Sequence, residues 1–218
     1  MPGGRKRGFD DQEALQAAME LFWRRGYEGT SITDLTRTLG INPPSLYAAF
    51  GSKRDLFEKA LQRYMDDRTA QVEMAMARPT AHEAMLALLT GRAEIFTEPG
   101  QPSGCMTVQA GLTSGDPGHE IAGLLSNARE RTRRTVLSRL RDAASDGDLP
   151  DDADCTVLAR FVMATIDGMS IEAASGAPRE ELISAATLAA HVIPRRTSPI
   201  PDPESRTAAL DPSCILQR

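Results

Sequence analysis

The chain has little of what chemistry at a metal or an activated nucleophile requires. Its 218 residues include three histidines and three cysteines. His82, His119 and His191 fall in separate segments, with no Glu or Cys at ligand spacing; a capped helix start or solvent accounts for each. Cys105, Cys155 and Cys214 form no C-x-x-C pair, and three scattered cysteines suit reduced thiols better than a disulfide framework. No acid–base pair stands out either. The expectation is therefore a non-enzymatic protein with no cofactor and no metal. No apolar run approaches the roughly 20 residues that span a bilayer. The N-terminus also lacks the apolar core of a signal peptide, so a cytoplasmic protein is expected. Aromatic residues make up 5% of a chain that is 41% hydrophobic, so aliphatic and alanine contacts must build most of its core.

Helical punctuation is abundant. Between Thr30 and Phe57 (TSITDLTRTLGINPPSLYAAFGSKRDLF) the spacing predicts two short helices, a tight turn between them and the start of a third. Ser31 with Asp34 makes a capping box, and Ile32, Leu35 and Leu39 recur at helical spacing. Gly40 stops that helix. Asn42 caps the next, with Pro43 at the first helical position and Leu46 and Phe50 as its buried anchor. Ser52 and Asp55 form a second capping box. The pattern is a helix-turn-helix, whose second helix enters the DNA major groove.

Phe22-x-x-x-Gly26-Tyr27-x-x-Thr30-Ser31, Leu39-Gly40-Ile41, Ser45-Leu46-Tyr47-x-x-Phe50 and Gly51-Ser52-Lys53 resemble the N-terminal signature of the tetracycline-repressor (TetR) family. The likeness covers roughly residues 11 to 64 and is nearly gapless. One departure is Ala48-Ala49, where many members carry a polar or histidine pair; two polar contacts are thereby removed.

Thr33, Ser45, Tyr47 and Lys53 suit phosphate contacts, since hydroxyl, ammonium and helix-end N–H groups all bind phosphate oxygens. The resemblance supports Tyr47 and Lys53 most, with a core role as the other reading of Tyr47. Asn42, Pro43, Pro44, Ser45 and Ala48 are the candidates for base edges, the prolines and alanine through apolar contact alone. Arg37 either reaches a phosphate or solvates its helix. Ahead of the motif, Arg5, Lys6 and Arg7 form either a solvated tail or an arm on the DNA. The net charge of −5 at first opposes a polyanion partner. Split by region, residues 1–64 carry 10 Lys/Arg against 8 Asp/Glu, and the acidic excess belongs to the rest. A local basic face can bind phosphate beside an acidic body.

Upstream, a helix from Asp10 or Asp11 places Leu15, Ala18, Met19 and Phe22 on one face, with Trp23 as packing. Downstream, helices are expected over about 52–77, 80–96, 105–113, 119–145, 152–175 and 179–192, with Arg129, Arg131, Arg133 and Arg134 on a solvated face. The last two helices have more apolar circumference than one subunit can cover. In the resembling family they form a four-helix contact between two copies, which here implies Ala159, Val162, Ile166, Ala173, Leu182, Ala186 and Ala189. The family's larger domain encloses a ligand, and Met85, Leu89, Phe96, Met106, Gln109, Leu112, Met163 and Asp167 are the candidate lining, each readable also as plain core. Cys105, after a glycine at a helix start, is either buried packing or a redox-sensitive thiol.

The whole reads as an all-α fold. A three-helix DNA-binding domain spans 9–57, a larger ligand-binding and dimerisation domain 58–193, and a proline-rich tail 194–218 is expected to be disordered. The expected function is that of a homodimeric, sequence-specific transcriptional regulator, a repressor released by a small apolar or amphipathic ligand. Its partners would be double-stranded operator DNA, that effector and a second copy, with no membrane. The alternatives are a regulator whose larger domain docks a protein, and an all-helical enzyme, which the missing acid, base and metal sets oppose.

Overall fold

The computed structural model describes residues 10–112 and 120–196. The basic arm, the tail beyond Arg196, His119 and Cys214 lie outside the described residues, as does the Leu112 side chain. Among the described residues the secondary structure is helical: α1 (Asp11–Arg25), α2 (Ile32–Leu39), α3 (Pro43–Phe50), α4 (Lys53–Met76), α5 (Ala81–Phe96), α6 (Met106–Leu112), α7 (Glu120–Ser145), α8 (Cys155–Ala174) and α9 (Arg179–Ala190). None of them is long and apolar enough to cross a membrane.

The helix starts follow the side-chain signals. Asp10 accepts from the amides of Gln12 and Glu13 and so fixes the start of α1. Ser31–Asp34, Ser52–Asp55 and Thr80–Glu83 form complete capping boxes on α2, α4 and α5, each satisfying amides that the helix leaves open. Gly40 closes α2 in the left-handed conformation. The eighth helix begins at Cys155, later than its apolar pattern suggests, because the Asp154 carboxylate takes the amides of Thr156 and Val157.

Three helix ends are also met by cations from other elements. Lys59 Nζ donates to Phe50 O (3.0 Å) at the end of α3. Arg139 donates to Met76 O, Arg78 O and Pro79 O beyond α4. Arg179 reaches Glu94 O and Thr97 O at the end of α5. Each places positive charge where a helix is negative and has unpaired carbonyls.

Two apolar clusters result. The first joins α1 to α4 around Phe22, Trp23, Leu35, Leu46 and Phe57, and takes in Met106 and Ala110 of α6 with Ile121, Leu125 and Ala128 of α7. Phe22, Tyr27 and Phe57 stack edge and face within it, ring centroids 5.1–6.2 Å apart. Of the expected α2 stripe only Leu35 is fully buried; Ile32 and Leu39 pack at the edge, as does Leu15 of α1. The second cluster joins α5, α8, α9 and the C-terminal half of α7. A boundary after residue 57 thus falls inside α4, whose Leu56 to Tyr64 belong to the first cluster and whose Ala75 belongs to the second. Pro194 to Arg196 run back along the protein, with Arg196 N donating to Asp148 O (3.2 Å).

Gly104 sits where the α5–α6 loop meets α8. Its φ is +82°, and a Cβ there would lie 2.6 Å from the carbonyl oxygen of Ser170. Gly100 in the same loop has φ +87° with open space around it. Gly104→Ala is expected to lower the urea unfolding free energy by about 1–3 kcal/mol, and Gly100→Ala by less. Equal losses would mean that the contact with Ser170 relaxes freely.

Candidate nucleic-acid interface and effector cleft

Helix α3 divides cleanly into an inner and an outer face. Leu46 and Phe50 anchor it, while Asn42, Pro43, Pro44, Tyr47 and Ala48 are exposed and Ser45 is half-buried. Tyr47 is 49% exposed, which removes the reading of it as core. Asn42 Oδ1 accepts from Ser45 N (2.9 Å), so this side chain is committed to capping and keeps only its NH2 for other work. Thr33 is exposed on the first turn of α2. Arg37, 73% exposed, pairs with Asp34 at 3.6 Å.

Lys53 opens α4, and its ammonium lies 4.1 Å from the centre of the Tyr27 ring. Burial lowers its pKa from the usual lysine value, with Glu28 acting against that shift. The aromatic platform holds the cation at the start of α4, beside the capping box that Ser52 and Asp55 close. Beside it Arg54 pairs with Glu58 and with Glu120, tying the start of α4 to α7.

Where α4, α5 and α7 meet, a cleft of about 390 Å³ opens between Gln62–Glu73 and Arg131–Thr135. An inner cavity of about 30 Å³ continues from it, and both share Met65, Arg68, Arg92 and Thr132. The inner walls include Tyr64, Phe96, Cys105, Met163 and Asp167. Three of the eight expected lining residues are therefore present: Phe96, Met163 and Asp167. Met85, Leu89 and Met106 are fully buried in the two clusters, and Gln109 spends its amide on Ser170 O (3.2 Å). None of those four lines the cleft or the inner cavity, whose walls come mainly from α4, α7 and the Arg92–Phe96 end of α5. The sequence reading missed the charged wall: Arg68, Arg92 and Arg129. Arg92 carried a signal, since it falls on the apolar stripe Met85–Leu89–Phe96. Arg129, assigned to a solvated face, instead donates to Thr107 O (2.6 Å) and fixes α6.

Residues 14–60 match the family described as bacterial regulatory proteins, tetR family, and residues 81–184 match the tetracyclin repressor-like C-terminal domain. The transcriptional repressor ComR of Escherichia coli is 35% identical over 185 residues, covering 84% of this chain and 88% of ComR. This chain belongs to the TetR family. A putative TetR regulator from Rhodococcus sp. RHA1 is 70% identical, covering 85% of this chain and all of that one, with a TM-score of 0.60. CifR, solved with 26-base-pair operator DNA, is 39% identical, covering 87% of this chain and all of the CifR chain, with a TM-score of 0.82.

The outer face of α8 and α9 is not formed by the residues expected there. Ala159, Val162, Ile166, Ala173, Leu182 and Ala186 are buried within one subunit against the second cluster, and Ala189 is half-buried there. α9 packs on α5 and α8 packs on both α5 and α7, so these residues lie in the core of one subunit. The open apolar side chains are Val157 and Ile171 on α8, with Leu188 on α9 and Val192 just beyond it, each 41–73% exposed. The histidines need a second correction. His82 and His191 meet edge to face at 5.9 Å, because α9 lies along α5, and burial lowers the His82 pKa.

The capping carboxylates of the DNA-binding head set an acid limit. The Ser31 hydroxyl and amide hold Asp34 below the usual carboxylate range, and the Ser52 amide and hydroxyl do so for Asp55. A lowered folded value means stabilisation that is complete above the unfolded value of about 3.9 and lost as pH falls below it. Asp34→Asn with Asp55→Asn is expected to be less stable than the wild type near neutral pH. That gap should shrink as pH drops through about 4, followed by denaturant titration at each pH. A gap independent of pH would assign the capping to shape alone.

Proposed function

We propose that this TetR-family chain is a cytoplasmic, homodimeric repressor that a small amphipathic ligand releases from a pseudo-palindromic operator. The observation that carries this is continuity: α4 begins at Lys53, beside the exposed face of α3, and its middle forms a wall of the cleft. A 390 Å³ cleft lies within the usual range for small-molecule sites, about 300–1,000 Å³. That favours a small ligand over a docked protein. The mixed lining, Met65 and Val72 among charged groups, favours an amphipathic ligand over a purely apolar one.

In this reading Thr33, Tyr47 and Lys53 contact phosphates, and Asn42, Pro44 and Ser45 face base edges. Two-fold symmetry places the half-sites about 34–36 Å apart or a multiple of that. The ligand prefers the state in which the two recognition helices are wrongly spaced, since equal affinity for both states shifts nothing. A coupling in the usual range weakens operator binding roughly 5–150-fold, and operator weakens ligand binding by the same factor. Calorimetric titration with and without operator tests this; identical ligand affinities would end the release mechanism.

Lys53→Ala is expected to weaken binding on all sequences alike and to reduce the salt slope by about 1, measured by fluorescence anisotropy across salt concentrations. An unchanged slope with a new sequence preference would reassign Lys53 to base reading. Asn42→Ser, which keeps a capping oxygen, should instead alter preference.

The outer face of α8 and α9 supplies the subunit contact in this reading. Leu188→Glu is expected to give a folded monomer in sedimentation, with operator affinity reduced in parallel. Ala186→Asp should unfold the subunit instead, because Ala186 is fully buried within it. A Leu188→Glu protein that remains dimeric would place the contact elsewhere.

A further inference from the structure

We propose that the cleft binds an organic anion whose charged head is gripped by Arg92 and Arg68 where the two cavities join. This names the chemical class of the effector, and it rests on the reading of an effector-released repressor.

Arg92 is only 7% exposed. The groups that act on it are Tyr64, Cys105 and Arg68, and none of them is a carboxylate. Its guanidinium makes no hydrogen bond or ion pair among the described residues. Arginine stays charged in proteins, so this is a buried cation without a counter-ion, an arrangement that costs stability. Arg68 repeats the pattern. Its Nε is buried with no hydrogen-bond partner, and its one bond is to Gln101 Oε1 (2.8 Å). Its guanidinium lies 5.2 Å from the Tyr64 ring and 5.8 Å from Trp23, which fixes it without neutralising it.

The other charges in the inner cavity do not relieve these two. Asp167 is acted on by Arg129 and not by Arg92 or Arg68, and burial raises its carboxyl pKa. Arg129 in turn spends a nitrogen on Thr107 O. Two arginines thus line a cavity with room for roughly two water-sized groups, the size of a carboxylate's two oxygens, and neither forms an ion pair with Asp66 or Glu73 of the larger cleft. Planar guanidinium forks recognise carboxylate and phosphate oxygens in pairs. The body of the ligand would extend past Met65 and Thr132 into the larger cleft, beside Thr69 and Val72. Arg68 belongs to α4 and Arg92 to α5, so an anion bridging them would pull on the stretch of α4 between Tyr64 and Ala75, which has no fully buried residue.

The test uses the full chain and three probes of equal length: hexanoate, hexyl phosphate and hexanol. Calorimetry is expected to give anions at least tenfold tighter binding than the alcohol, with Arg92→Gln removing roughly 10–100-fold of that advantage. Hexanoate against hexyl phosphate decides which head fits. Arg92→Met should also melt at a higher temperature than the wild type, since it deletes an unpaired buried charge; a merely structural arginine would lower it. If either variant fails to fold, the wild-type ranking of the probes still decides. Anions binding no better than hexanol, or not at all, would overturn the proposal. So would Arg92→Gln changing only the alkylation rate of Cys105, which would make the thiol the partner of Arg92. Operator anisotropy separates the two levels. Release by hexanol as good as by hexanoate sinks the anion and keeps the repressor reading. Arg92-dependent anion binding that leaves operator affinity unchanged keeps the site and sinks the release.

Discussion

A single helix belongs to two hydrophobic cores, and most of the molecule's behaviour follows from that constraint. Leu56, Phe57, Ala60, Leu61 and Tyr64 of α4 lock it into the DNA-binding head, and Ala75 enters the larger cluster. Close-packed interiors deform little, so the two anchored ends must move with their clusters. The stretch between them is held more weakly, and that is where the cleft opens. Arg54 pairing with Glu120 adds a charged tie from the same helix to α7. One helix thus joins the head to the wall of the cleft.

The short helices of the head would be marginal alone, since isolated helices under about 12–15 residues are barely stable in water. Packing and caps make up the difference. Side chains from the same segment close the N-termini; Lys59, Arg139 and Arg179 close C-termini from elsewhere. The head is therefore rigid as presented: Lys59 holds the end of α3, and Tyr27 holds Lys53. Preorganisation of this kind lowers the entropy lost when a surface binds a partner.

The cleft works against stability. Arg92 stands on the buried stripe of α5, where a leucine would pack, and no carboxylate answers it. Ordinary cores neutralise or exclude such a group. Arg92 and Arg68 both line the inner cavity, and neither has a carboxylate partner among the described residues.

The helix-turn-helix was legible because its signals are local. Capping boxes, Pro43 and Gly40 act within four residues, so sequence order alone specifies α2, α3 and the start of α4. The resemblance to the TetR family, as read from the sequence, rested on the same short stretch, whereas the family match extends over residues 81–184 as well. Which apolar residues pack inward and which meet another molecule was not legible. Ala159 and Ala186 look identical in pattern to an interface stripe, yet they are buried within one subunit, while Val157 and Leu188 stay open. Periodicity gives a helix its faces without saying which neighbour each one meets. The same holds for the cleft: Met85 and Phe96 share a stripe, and only Phe96 reaches the cavity. The pairing of His82 with His191 arises only because α9 lies along α5. Local hydrogen-bond chemistry fixed the helices and the exposed side of α3; the contacts between distant helices decided the cleft, its arginines without carboxylate partners and the open side of α8 and α9.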